Sequence, residues 1–452
     1  MPSGLSSGNY NETRYNLAVA GERAVDVLIL GGGPAGSTAG TLLAAAGLET
    51  VILEGERFPR FHVGESLLPH TLPLLDRLGV HEAVRALPHT RRKDGASFVS
   101  HDGSRHVVYW FEDAFAPVIP HAYQVRRDEF DAALLANARA KGADVLEGWH
   151  AGAPRWEGKR LVGLVVREPG GGERVIRCRA FLDASGQSSF LASRMGWRFP
   201  YPMHRKVAAV SHFKGVWLPP EREAGNITIV LADGGWFWLI PFADDTVSVG
   251  AVLDVEKWRA SGGTPESLFS AAVQATPEVA RRLEHAERLI PFSAVQNFSY
   301  RVMQIGGDGY CLIGDAAGFL DPIFSTGVFI STTTAASAAQ DIIESLMRHG
   351  RVDASDLGPT ISLTRSLHRL FFSFIRAYYD RHFLAFFFSP TDASRLTAAI
   401  VSLLAADVVR PGRWKKTIRF RALQGLARVQ QVGARLGRPI VEPLAAGPTS
   451  GS

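Results

Sequence analysis

The chain has 452 residues, of which 46% are hydrophobic and 21% charged, a balance ordinary for folded globular proteins that excludes a disordered or membrane-embedded class. Such a length is about three times that of a common domain, so one large composite fold or two interleaved domains around a substantial core is expected. The two cysteines, Cys178 and Cys311, exclude a disulfide framework and a CxxC metal site; no metal is expected, and a reducing, cytoplasmic compartment fits them.

Residues 1–23 carry no continuous apolar run after a basic start, which argues against a secretory signal, and they read as a disordered arm. Val25 to Leu30 is a short apolar run ending in three glycines; small residues follow through Ala46, and Thr50 to Leu53 is a second β-rich run. That order predicts strand, turn, helix, strand. Gly31, Gly33 and Gly36 form GxGxxG in the turn, with Pro34 and Ala35 between them. Glycine there allows the tight turn, close approach of backbone to a pyrophosphate and close helix packing, and the helix start presents its positive end. Glu54, eighteen residues after Gly36, closes the second strand and can accept hydrogen bonds from a ribose hydroxyl.

Ser97 to Trp110 and Val207 to Leu253 are rich in β-branched and aromatic residues broken by Gly, Asp and Pro, which predicts an antiparallel sheet outside the nucleotide core. Helices are expected over Phe130 to Lys141 and Ile330 to Met347. Leu370 to Phe388 is dense in Phe and Tyr but interrupted by Arg376, Asp380, Arg381 and His382, charges that exclude a membrane span. Core packing is the ordinary reading of that run; an aromatic wall for a planar or lipid-like substrate is the sharper one. The net charge of +5 is local in origin: residues 406–441 hold nine basic side chains, from Arg410 to Arg438, against Asp407. A basic helix of this kind can attract an acidic carrier protein, an anionic lipid surface or nucleic acid, and its ordinary reading is a solvated face. Nucleic acid is not expected as a partner, and membrane contact is expected nowhere but at these helices.

A second motif separates FAD from NAD. Tyr310 to Asp315 reads as a short strand ending in Gly314-Asp315, with Ala316, Ala317 and Gly318 opening a helix, so that the aspartate can bind a ribityl hydroxyl. The segment resembles the flavin-contact segment of the large FAD family that includes aromatic hydroxylases, geranylgeranyl reductases and flavin-dependent halogenases. Arg127 and the Asp183-Ala184-Ser185-Gly186 segment match that family in order along the chain, over about residues 25 to 345. The resemblance implies an α/β fold: a Rossmann-type FAD-binding core over residues 24–345, discontinuous at about 24–95, 122–200 and 300–345. A substrate-binding antiparallel sheet is inserted at about 96–121 and 201–299. An α-helical C-terminal region over 346–441 and a disordered tail, 442–452, complete the expected organisation.

Within that family three motifs resemble the flavin-dependent halogenases, of the phenol or pyrrole type. Phe58 to Pro69, containing Arg60 and Gly64-Glu65-Ser66, resembles the GESL segment beside the flavin ring. Trp236-Phe237-Trp238-Leu239-Ile240-Pro241 is a complete WxWxIP, whose bulk in that family keeps organic substrate away from the flavin. Lys93, in Lys93-Asp94-Gly95-Ala96-Ser97-Phe98, matches the neighbourhood of the family's active lysine, although Arg91, Arg92 and Asp94 also suit an ordinary charged turn. The resemblance implies that reduced FAD, oxygen and chloride or bromide yield hypohalous acid, which the lysine passes to an electron-rich ring. Such an amine needs a pKa lowered by burial. The resemblance also places halide at Ser325, Thr326 and Gly327, with Gly327 and Val328 against the cofactor, and Trp236, Trp238, Pro241 and Phe324 around the substrate. Tryptophan halogenases carry glutamate where Phe324 stands, so a phenol or pyrrole, free or tethered to an acyl carrier protein, is the expected substrate. With no second nucleotide loop in the sequence, a separate flavin reductase is the expected source of reduced FAD. An FAD-dependent monooxygenase or geranylgeranyl reductase-like enzyme is the alternative, and a flavin-fold binding module the non-enzymatic one.

Overall fold

In the computed structural model, residues 22–409 are described apart from 117, 202–204, 297–298 and 390–394. Most of the expected N-terminal arm, the basic stretch from Arg410 and the 442–452 tail lie outside the described residues. The first strand, Glu22–Leu30, is buried on both faces from Val27 onward, as a central parallel strand requires. It pairs in parallel with Thr50–Glu54 on one side and Glu173–Asp183 on the other, so that Leu28 sits between Val51 and Phe181. Asp144–Glu147 and Tyr310–Leu312 extend the sheet, also in parallel, on the two flanks.

Helices Pro34–Ala45, Arg127–Ala140 and Gly327–His349 pack together over one core with this sheet. Buried Ala39, Ala335, Ala338 and Ala339 allow the helices to approach closely. The long helix ends on Gly350, left-handed at φ 75°, a conformation glycine adopts without steric cost. The other face of the sheet, with Leu28, Val51 and Phe181, packs with Leu164, Leu191 and Tyr300. Two expected helices begin three residues earlier than the apolar periodicity indicates, at Arg127 and Gly327.

The second large sheet runs in the order Glu287–Arg288, Lys206–Lys214, Val247–Asp254, Gly235–Pro241, Ile227–Ala232, Gly95–Val99, His106–Trp110. Neighbours are antiparallel as expected, with one exception: Ile227–Ala232 and Gly95–Val99 pair in parallel, with Ile229 against Phe98. These two strands come from segments separated by the nucleotide core, and no hairpin imposes an antiparallel direction on them. Alternation along Gly235–Pro241 sends Trp236, Trp238 and Ile240 to one core and Phe237 and Leu239 to another. Trp238 lies directly over Gly250 of the neighbouring strand, where a Cβ would come 2.2 Å from the indole, and its Nε1 donates to Ser248 Oγ at 3.1 Å.

The aromatic run of the C-terminal region forms helices Gly358–Tyr378 and Arg381–Phe387, with Asp380 capping the second by accepting from the His382 and Phe383 N–H groups. Phe371, Phe374, Tyr378, Phe383 and Phe387 are buried against the sheet. Phe98 and Phe387 meet edge to face at 4.8 Å, and Tyr109 Oη donates to the Phe387 carbonyl at 2.6 Å. Core packing is therefore what this run does. No helix among the described residues is long and apolar enough to cross a membrane.

The contact between Trp238 and Gly250 is tight enough to test. Gly250→Ala is expected to lower unfolding free energy by about 1–3 kcal/mol through overpacking, read from the midpoint of denaturant unfolding.

Candidate active site

The carboxyl ends of the parallel strands meet at one place: Leu30 leads to Gly31, Asp183 to Ser185 and Gly186, and Leu312 to Gly314 and Asp315, beside Glu54. Ligands of open α/β sheets bind at such ends. A cavity of about 630 Å³ opens there and extends to Trp236, Trp238 and Ile240 of the second sheet. Gly31, Gly33, Pro34, Ala35, Glu54, Arg60, Gly64, Glu65, Ser66, Arg127, Gly186, Asp315, Ser325, Gly327 and Val328 line it, so segments distant in sequence converge.

The glycines divide their roles. Gly31 has φ 105°, and a Cβ on it would lie 2.4 Å from the Ala184 carbonyl oxygen; a Cβ on Gly36 would lie 1.8 Å from the Gly31 oxygen. Gly31 and Gly36 are thus imposed by packing, and Gly36 does not reach the cavity. Gly33 meets nothing closer than 3.5 Å and stands at the start of helix Pro34–Ala45, which has no side-chain cap. Uncapped first-turn N–H groups at the wall of a cavity have the chemistry to hold an anion. Glu54 accepts from the Gly32 N–H at 2.7 Å and the Glu56 N–H at 2.8 Å, one on each carboxylate oxygen, which leaves lone pairs for a hydroxyl at the cavity wall.

Arg127 is held rigidly. Its Nε and Nη2 donate to the two oxygens of Asp131 at 2.7 and 2.9 Å, and Nη1 donates to the Val63 carbonyl at 2.7 Å. Asp131 also meets Arg60 at 3.3 Å. Asp315 accepts no side-chain hydrogen bond among the described residues; burial, opposed by Arg127, pushes its carboxyl up to about 7. His62 also lines the cavity, and burial followed by Arg127 lowers it to about 4, so the ring is neutral. Its Nδ1 donates to the Val63 carbonyl at 2.6 Å, which leaves Nε2 as an acceptor. Glu65 Oε1 pairs with His212 Nε2 at 2.9 Å, both groups buried.

Ser325, at φ 57°, turns the chain from the short helix Pro322–Phe324 into helix Gly327–His349. That helix start also lacks a side-chain cap and opens on the cavity at Gly327 and Val328. Lys93 ends the strand Arg91–Lys93, which pairs with Ala122–Gln124. It is 1% exposed, donates from Nζ to Ser66 Oγ at 2.8 Å and the Leu67 carbonyl at 3.1 Å, and burial alone lowers its amine to about 7. The charged-turn reading fails for this residue.

Several expected positions do not line the cavity. Phe324, capped into its turn by Asp321, stacks on Phe374 at 4.0 Å and belongs to the aromatic core. Pro241 falls on the opposite face of its strand from Trp236 and Trp238; Ile240 takes the place at the cavity. Thr326 is buried beneath its turn. Asp183 accepts from the Ser185 and Leu191 N–H groups and Ser185 Oγ, organising the loop from behind. At Gly314 a Cβ would meet Ser331 Oγ at 2.7 Å, so this glycine serves helix packing. Strand alternation could have revealed Ile240; a lone histidine in the apolar strand Lys206–Lys214 was the signal for His212, whose partner Glu65 is 147 residues away.

Residues 24–356 match the model of the FAD binding domain family. The chain is 33% identical to the tryptophan 2-halogenase of Chondromyces crocatus over 70% of its own length and 60% of that protein, so it spans less than two thirds of this relative. It is 31% identical to the 1H-pyrrole-2-carbonyl-[peptidyl-carrier protein] chlorinase of Pseudomonas fluorescens, over 85% of its own length and 89% of that protein. Among solved structures, a flavoprotein/dehydrogenase from Cytophaga hutchinsonii superposes with a TM-score of 0.83 at 30% identity, over 91% of this chain and 100% of that one. The flavin-dependent brominase Bmp2 superposes with a TM-score of 0.80 at 28% identity, over 90% of this chain and 100% of that one.

The Asp315 carboxyl carries a stability signature. Its raised pKa means that the folded protein, free of cofactor, holds a proton that the unfolded chain releases above about pH 4, so this group's contribution to stability falls as pH rises from 4 to 7. Asp315→Asn in flavin-free protein is therefore expected to stabilise by about 2 kcal/mol at pH 8, discounted for the open cavity, and by much less at pH 5. Melting temperatures at the two pH values check it.

Proposed function

The chain belongs to the FAD binding domain family and, within it, to the flavin-dependent halogenases, and from that premise we propose that Lys93 delivers electrophilic halogen to an electron-rich phenol or pyrrole. The cavity residues fit FAD: an uncapped helix start for the pyrophosphate, Glu54 for the ribose, and at Asp315 a carboxylate without a protein hydrogen bond among the described residues for a ribityl hydroxyl. Arg60, Gly64, Glu65, Ser66 and Arg127 flank the same space, with Gly186 at its rim. When bound and reduced, FAD supplies with dioxygen the two-electron oxidant that converts chloride or bromide to hypohalous acid.

The residues of the chain do the rest. The turn at Ser325 and the helix start at Gly327 offer backbone N–H groups for the halide, an anion site on the cavity wall. Trp236 and Trp238 fill the space in which an organic ring would otherwise meet the flavin. Trp236 is held by its Nε1 donating to Tyr379 Oη at 3.1 Å, and that hydroxyl donates to Asp321 at 2.8 Å. The observation that carries the reading is the Lys93 amine, out of water yet one hydroxyl from the cavity. Burial lowers the amine to about 7, so near neutrality a large fraction has the lone pair that an ammonium ion lacks.

Two relatives act, by their names, on a pyrrolyl group held by a peptidyl carrier protein. We infer a ring of that class here, carrier-bound or free, and the nine basic side chains of 406–441 suit an acidic carrier. A separate flavin reductase supplies reduced FAD.

Purified protein with FAD, a reductase, NADH, oxygen and bromide is expected to yield brominated phenol or pyrrole products by mass spectrometry, with the rate rising through about pH 7 as Lys93 loses its proton. Lys93→Met is expected to retain FAD and lose halogenation by a factor on the order of 100 or more. Hydroxylated products alone, or full turnover by Lys93→Met, would contradict the assignment.

A further inference from the structure

The Lys93 side chain does not itself line the cavity; Ser66 does. Lys93 Nζ donates to Ser66 Oγ at 2.8 Å and to the Leu67 carbonyl at 3.1 Å, and lies 5.3 Å from the centre of the Phe111 ring. Burial lowers the pKa of this amine, and the two acceptors compensate its charged form in part. Ser66 is itself 4% exposed and is braced by a β-bridge to Gln124, the residue at the end of the strand paired with Arg91–Lys93. Having accepted from the amine, its hydroxyl still has a proton to donate, and no described residue accepts it.

We propose that Ser66 is the positioning residue for halogen delivery: it aims the Lys93 amine toward the cavity and, through its own O–H, holds the oxygen of hypohalous acid arriving there. The proposal rests on Lys93 as the delivering amine. If the amine takes the halogen covalently, the nitrogen lone pair attacks the halogen, an N–halogen bond forms, and the O–halogen bond breaks with its electron pair going to oxygen. The departing hydroxide takes the Ser66 hydroxyl proton while Ser66 Oγ takes one from Nζ, so the products are haloamine, water and an unchanged serine. Without Ser66, the same amine lies behind an apolar wall with the Leu67 carbonyl as its remaining hydrogen-bond partner among the described residues.

The test compares Ser66→Ala, Ser66→Thr and Lys93→Met in FAD-loaded protein, with flavin absorbance and melting temperature confirming that each is folded and loaded. Ser66→Ala is expected to cut halogenation roughly tenfold or more and to leak more oxidant to monochlorodimedone per product formed. It should also move the acid limb of the rate profile to lower pH, because an acceptor that favours the ammonium form is gone. Flavin-free protein gives an independent readout: the rise in stability above about pH 7, where the folded protein lacks the Lys93 proton that the unfolded chain keeps, should begin at lower pH in Ser66→Ala. Ser66→Thr, which keeps the hydroxyl, is expected to recover the rate to within about threefold. Should Ser66→Ala fail to fold, Ser66→Gly, which also lacks the hydroxyl and is inert to hypohalous acid, replaces it with the same expectations. A Ser66 variant with wild-type rate and an unmoved acid limb, beside an inactive Lys93→Met, overturns the role of Ser66 alone; an active Lys93→Met overturns the reading beneath it.

Discussion

The close approach of backbone to backbone at the glycine loop sets the geometry of the whole core. Gly31 lies against the Ala184 carbonyl and Gly36 against the carbonyl of Gly31, at separations that leave no room for a side chain. These contacts bring helix Pro34–Ala45 down onto the ends of its strands and draw the Asp183 loop in beside them. Without that closeness the first-turn N–H groups, Glu54 and Asp315 would not face a common space. The helix pairing depends on the same economy of volume, with buried alanines along Gly327–His349 and Gly314 beneath Ser331.

Water exclusion is the second requirement, and it is met from a different part of the chain. The mixed sheet presents Trp236, Trp238 and Ile240 to the cavity and shields its other side with Phe237 and Leu239. On the same face as the tryptophans the Phe- and Tyr-rich C-terminal helices extend this apolar core, which includes Phe111, the ring beside Lys93. An amine placed there loses hydration, and two acceptors, a hydroxyl and a carbonyl, compensate it in part. The cost of burying the lysine in its charged form is what makes the neutral amine accessible near pH 7, so a feature unfavourable to stability is one that the proposed chemistry requires.

The site also contains buried polar pairs in which a motif residue meets a partner that no motif marks. Glu65 with His212, and Asp321 with Tyr379 and Trp236, each join strands or turns remote in sequence. They tie the GESL segment to the mixed sheet and the turn before Ser325 to the C-terminal helices. Such ties resist relative movement of the walls, because breaking either would leave a carboxylate unpaired in a low-dielectric interior.

Local chemistry determined a good deal of this protein in its sequence. The apolar run at Val25, the spacing of Gly31, Gly33 and Gly36 and the acid at Glu54 follow from what a single strand, turn and helix demand, and the structure repeats them almost residue for residue. The Trp236–Trp238 motif carried its own period of two. What the sequence could not decide was where a side chain meets a partner far along the chain. Phe324 went to Phe374 and Pro241 turned away from the cavity, while His62 came to it unannounced and His212 paired with Glu65 of its wall. Lys93 stood among charged neighbours as though in a turn, and only the packing of Phe111, Ser66 and the strand at Ala122 removed it from water. Periodicity and glycine spacing are properties of adjacent residues; burial and hydrogen-bond partnership are properties of the assembled fold.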